Sequence, residues 1–141
     1  PINEIKKLAF STPKGAIKII IKYVDKPELY YKLADVIALP YRFSLELPEY
    51  PFVLLEAMAC GKPIITTSIG SIPEIVIANY NGVLIQPKNK DELKNAIVKV
   101  LSNDVFATKL GKNAQSSVKV FDWKIVAKKI LNVYKEVQNE K

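Results

Sequence analysis

The stretch LPEYPFVLLEAMACGKPIITT, from Leu47 to Thr67, gathers the residues whose types and spacing could do chemistry. The strong helix formers of FVLLEAMACGK end at Gly61, where a C-cap glycine belongs. A helix beginning near Pro51 or Phe52 turns its free N–H groups and positive dipole end toward the preceding loop, YRFSLELPEYP. That favours a diphosphate or sugar oxygen at the loop. Glu56 then lies about one turn into the helix, where an ionised carboxylate can accept two hydrogen bonds from the cis-diol of a ribose. An exposed glutamate steadied by the helix dipole fits the same position. Pro48 and Pro51 flank Glu49-Tyr50, restrict the backbone there and could aim the Glu49 carboxylate. The plainer alternative is that Glu46 and Glu49 only solvate a loop.

These residues need a frame. Ile2–Ser11 carries apolar residues at helical spacing and ends in Pro13-Lys14-Gly15, so a short helix and a turn are predicted. IKIIIKYV (Ile17–Val24) is rich in β-branched residues, DKPELYYKLAD reads as a capped helical turn, and VIALP is a second apolar run. After the central helix come a β-rich segment PIITTS, then SIPEIVIA with Pro73 near a helix start, then a turn and strand in NGVLIQP. From Asp91 onward the pattern is helical: Leu93, Ile97, Val100 and Leu101 form one stripe, and Trp123, Val126, Ile130, Val133, Tyr134 and Val137 form another. The alternation predicts an α/β fold with strands near Ile17–Val24, Val36–Pro40, Pro63–Thr67 and Val83–Ile85 in one parallel sheet flanked by helices. Ligand sites in such sheets lie beyond the carboxyl ends of the strands, which singles out the loops after Pro40, Thr67 and Pro87.

A chain of 141 residues with 49% hydrophobic composition is expected to make a single domain, with residues 104–141 as its C-terminal helices. No apolar run approaches the roughly 20 residues that span a bilayer. The single cysteine, Cys60, has no internal partner, and without histidine no Cys/His metal cluster can be assembled, so a cytoplasmic setting and no metal or other cofactor are expected. Cys60 also lacks a histidine to activate it as a nucleophile and reads as a small buried residue. The formal charge of +7 is nearly all lysine, with Arg42 the one arginine, and the lysines are spread over the helices without interleaved aromatics. A solvated surface explains them better than a nucleic-acid groove, although the charge is compatible with peripheral contact at an anionic membrane. The opening PINEIKKLAF has neither an initiating Met nor a signal-peptide core, so it reads as the inside of a longer chain.

Taken in order, Leu55, Glu56, Ala57, Met58, Ala59, Cys60, Gly61, Pro63, Thr66, Gly70, Pro73, Glu74, Asn81, Gly82 and Leu84 resemble the C-terminal domain of GT-B glycosyltransferases of the family 4 type. That family carries E-G-F-G-x-x-x-L-E-A-M-A-x-G-x-P-V-V-x-T, then G-G-x-x-E, then N-G-x-L-V. The tail FDWKIVAKKILNVYKEV is similar to its terminal aromatic-x-Trp and long helix, so the likeness runs from about Ile17 to about Val137. Four elements in the right order and spacing make the signal specific. The resemblance implies a Rossmann-like parallel sheet, the C-terminal half of a GT-B fold. It also implies a retaining transferase that moves a hexose from a nucleoside-diphosphate sugar to an acceptor, a sugar or a lipid-linked glycan, without a metal.

In the family the counterpart of Glu56 binds the ribose, and the resemblance implies donor contacts from Glu56, Glu49, Tyr50, Pro51, Phe52, Val53, Gly70 and Ser71. The family's first glutamate would fall eight positions before Glu56, where this chain has Pro48. A one-residue loop shift would let Glu49 serve, while Pro51 supplies no N–H to the sugar. Gly70-Ser71 stands where the family has Gly-Gly: Gly70 can take a positive φ beside a ligand, and an ordinary strand-to-helix turn explains the pair equally well. Glu74 reads as a first-turn acid, Asn81-Gly82 as a turn, and Trp123 as a core anchor rather than a sugar platform.

The family's acceptor domain and the first two strands of this domain, with their phosphate-clamping Arg and Lys, would precede Pro1. In the usual order 3-2-1-4-5-6 those strands stand between Ile17–Val24 and Val36–Pro40. The chain alone would then have exposed sheet edges, to be covered by the missing N-terminal part, by rearrangement or by self-association, and by itself would be inactive. A non-catalytic α/β binding or interaction module is the second reading. A basic nucleic-acid binder, resting only on charge, is the third and weakest.

Overall fold

The computed structural model describes residues 23–43 and 51–139. Helix α1 (Pro27–Leu33) leads into β1 (Ile37–Leu39), α2 (Phe52–Ala59), β2 (Ile64–Thr67), the short α3 (Ile72–Ile75) and β3 (Val83–Ile85). Then follow α4 (Lys90–Leu101), α5 (Asp104–Ser117), a 3-10 turn (Val118–Phe121) and α6 (Trp123–Asn139). The predicted Ile2–Ser11 helix and most of the predicted strand Ile17–Val24 lie outside the described residues; Tyr23 and Val24, at that strand's end, are in no strand.

The strands form a parallel sheet in the order β1-β2-β3, with Ile37 opposite Ile64 and Ile65 opposite Val83. All four residues of β2 are buried, as a central strand covered on both faces requires. The pleat then sorts the core into two layers. Ile64 joins Ile37, Leu54, Ala57, Met58, Ile72, Ile75, Val76 and Ala114 on one side, against α2 and α5. Ile65 joins Val83, Ile85, Ala96, Val100 and Leu110 on the other, against α4 and α5. The helices are stopped and started by local chemistry: Gly61 takes φ +68 just after α2, Asn89 accepts from the Glu92 N–H at 3.0 Å to cap α4, and Asn103 accepts from the Phe106 N–H at 2.9 Å to cap α5.

Asn81 is more than the turn its composition suggests. It is 1% exposed, its Oδ1 accepts from the Ile77 N–H at 2.7 Å, and its Nδ2 donates to the Ile75 carbonyl at 3.1 Å. The amide therefore satisfies two backbone groups at the end of α3, just before β3. Asn81→Ala leaves both without a partner, and urea unfolding should show a loss of about 2–4 kcal/mol. A loss below about 1 kcal/mol would mean that these groups find other partners.

Trp123 departs from the expectation of a core anchor, since its ring is 78% exposed. Its stripe exists as an amphipathic pattern, but Ile130, Val133, Tyr134 and Val137 are also half or more exposed. The reason is geometric: α6 runs on from the 3-10 turn, and the described residues put no layer over its apolar face.

Candidate functional site

Because the sheet is parallel, the loops after β1, β2 and β3 all leave from the same end. The loop after β1 delivers the chain to Pro51, the residue preceding α2, with φ −71 and ψ 105 and no side-chain cap. The Leu54 and Leu55 N–H groups turn back to the Pro51 carbonyl at 2.9 and 3.3 Å, which locks the first turn. Leu54, Ala57 and Met58 are buried and fix the helix to the core, so the 3.6-residue period leaves Phe52, Val53 and Glu56 on the exposed side. Phe52 is 66% exposed on that side.

Glu56 presents its carboxylate one turn beyond the helix start. Oε2 accepts a hydrogen bond from the Tyr31 hydroxyl at 3.2 Å. Burial raises the Tyr31 phenol above its usual value, and the adjacent Glu56 charge raises it further, so it stays a donor through neutral pH. Tyr41, on the loop leaving β1, is raised by burial. Tyr31 is the residue that sequence reasoning missed: it stands 25 positions from Glu56, and nothing in the PELYYKL segment ties it to the central helix.

Glu56 also borders a cavity of about 960 Å³ whose walls include Phe52, Leu55, Ala59, Val118, Phe121, Trp123 and Val126, together with Lys119 and Asp122. Its walls are mostly apolar, which suits a flat ring or the carbon face of a sugar more than a free phosphate. Around the corner of the sheet, Thr66 Oγ1 donates to the Leu39 carbonyl at 3.0 Å and ties the ends of β1 and β2 together. Gly70 takes φ +53, a left-handed turn that carries the chain from β2 to Ser71 and α3. Lys88 and Arg42 lie over the Phe43 ring at 4.1 and 5.6 Å from its centre, placing two cations near the ends of β1 and β3.

Among the expected site residues, Phe52, Val53 and Glu56 lie in the N-terminal part of α2 with Pro51 just before it, and Gly70 and Ser71 stand at the same end of the sheet. Glu49 and Tyr50 lie outside the described residues. Glu74 is a first-turn acid of α3, and Cys60 is half-buried at the end of α2. Among the described residues no cluster of three acidic, cysteine or histidine side chains could hold a metal ion, and no helix is long and apolar enough to cross a membrane.

The model of the family described as glycosyl transferases group 1 matches residues 3–117. An uncharacterized glycosyltransferase of Methanocaldococcus jannaschii is 36% identical over 118 residues, which cover 84% of this chain and 32% of that protein. The structure of a sucrose-phosphate synthase from Thermosynechococcus elongatus superposes with a TM-score of 0.81 at 27% identity, over 99% of this chain and 35% of that one. The Anabaena protein HepE in complex with UDP-glucose superposes with a TM-score of 0.79 at 22% identity, over 96% of this chain and 36% of that one. The chain thus spans about a third of the length of these relatives.

Proposed function

Since the chain belongs to the glycosyl transferases group 1 family, we propose that it forms the donor-binding part of a retaining hexosyltransferase, the part that holds a nucleoside-diphosphate sugar. One observation carries this reading. The Glu56 carboxylate stands exposed one turn into a helix whose N-terminal end meets the loop leaving the sheet, so a ribose diol and a diphosphate can be engaged by the same element. The α2 N–H groups would face diphosphate and sugar oxygens from Phe52 and Val53, while the apolar walls beside Glu56 suit the nucleoside. Glu49 and Tyr50 would meet the hexose, with Pro51 shaping the turn, and Gly70-Ser71 would approach from the β2 end. The cleft would be completed by an acceptor-binding domain of the same enzyme, acting in the cytoplasm on a sugar or a lipid-linked glycan.

In this scheme the positive end of α2 and lysine or arginine side chains meet the diphosphate charge, without a metal. The UDP-glucose bound to HepE is compatible with such a donor, as is the name glycosyltransferase carried by the Methanocaldococcus jannaschii relative. Pro48 at the family's first-glutamate position favours the second reading, a binding module without turnover.

The full-length protein, incubated with a panel of nucleoside-diphosphate hexoses and a mixed acceptor pool, should release nucleoside diphosphate. Proton NMR of the product should show the anomeric configuration of the donor. Inversion would overturn the retaining assignment. Tight diphosphate binding with no transfer to any acceptor would select the binding module.

A further inference from the structure

We propose that Tyr31 is a positioning residue: it fixes the Glu56 carboxylate for the two ribose hydroxyls and so sets a preference for ribonucleotides over 2′-deoxyribonucleotides, an inference resting on the donor-site reading above. An exposed glutamate on a helix surface samples several rotamers, and ordering it for a ligand costs conformational entropy. The Tyr31 hydroxyl removes part of that freedom beforehand by donating to Oε2 at 3.2 Å. It occupies one lone-pair direction of one oxygen and leaves Oε1 and the remaining Oε2 lone pair to accept from a diol. Among the described residues this is the one side-chain hydrogen bond that Glu56 makes.

Tyr31 can do this because its ring is not itself free. It packs against the buried core cluster that includes Leu54, Met58 and Ile37, and α1 lies against α2. The phenol is thus held by the same core that holds the helix bearing Glu56. Preorganisation of this kind acts on the contact made by the carboxylate, so its loss should fall on ligands that use both ribose hydroxyls and spare those that use one.

The test is calorimetric titration of the full-length protein with uridine diphosphate and 2′-deoxyuridine diphosphate, or the same pair of whichever base binds. Wild type should prefer the ribonucleotide by about tenfold or more, the size of one hydrogen bond to a charged group. Tyr31→Phe, which keeps the ring and its packing, should narrow that preference by about three- to tenfold, with most of the loss on the ribonucleotide. Equal weakening of both ligands, or an unchanged ratio, would overturn the positioning role. Glu56→Gln separates the two levels: if it abolishes the preference while Tyr31→Phe leaves it intact, only the role of Tyr31 fails. If Glu56→Gln changes neither affinity nor preference, the donor-site reading fails and this inference with it. A melting curve of Tyr31→Phe close to wild type shows that the readout is not one of folding.

Discussion

Gly111→Ala should cost at least about 3 kcal/mol of stability, the upper end of what overpacking a core does. Gly111 lies in the middle of α5 where that helix crosses the end of α2, and a β-carbon there would collide with the carbonyl oxygen and carbon of Gly61. Neither partner can swing away. The Gly61 backbone is fixed by its φ of +68 and by its N–H bond to the Met58 carbonyl at 2.9 Å. Relief must come from moving one helix, and the α2–α5 contact is part of the layer that contains Leu54, Met58 and Ala114. Thermal unfolding should show a midpoint lower by roughly 10 °C. Gly82→Ala is the milder comparison, since its β-carbon would meet the tip of Val76 at 2.7 Å, although the Ile64 carbonyl at 3.3 Å limits how far the strand can give. A Gly111→Ala midpoint within about 2 °C of wild type would mean that the crossing has slack the structure does not show. Because α2 also carries Glu56, the same substitution should weaken nucleotide binding without touching the site.

The parts of this fold that a sequence displays are those governed by local pattern. The runs around Ile37–Leu39, Ile64–Thr67 and Val83–Ile85 are short, apolar or β-rich and bounded by turns, and they form the parallel sheet they predict. Phe52–Ala59 is a helix ending beside Gly61 for reasons of propensity and capping. What stayed hidden depends on contacts between distant segments. Gly111 looks like any small residue in a lysine-rich helix until α2 is laid across it. The Tyr31–Glu56 bond joins two helices through the core they share. Asn81 has the composition of a turn, and its buried role follows only from the bonds its amide makes to the Ile77 N–H and the Ile75 carbonyl. Trp123 heads a convincing apolar stripe, but periodicity states that a face is apolar, not that this chain covers it.

Glu56→Gln keeps the shape of the side chain and removes its charge, and Glu56 is exposed, so the fold should be unaffected. The Gln amide can still offer an oxygen, but hydrogen bonds to a charged acceptor are worth about 1.5–3 kcal/mol against about 1 for a neutral one. Loss of that difference over a two-point diol contact corresponds to a fall in nucleoside-diphosphate affinity of about one to two decades. Glu49→Gln belongs beside it. A nucleotide-sugar affinity lowered by both variants would assign Glu49 to the hexose, whereas a loss for Glu56→Gln alone would leave the donor sugar without the family's first carboxylate, consistent with Pro48 at that place. The most direct measurement is therefore the titration of nucleoside diphosphate into the full-length protein, wild type against Glu56→Gln, each with a matching melting curve. A ten- to hundredfold weaker variant is about the expected result for a lost charged diol contact, and an unchanged affinity in a folded Glu56→Gln protein would contradict the placement of the ribose at this helix.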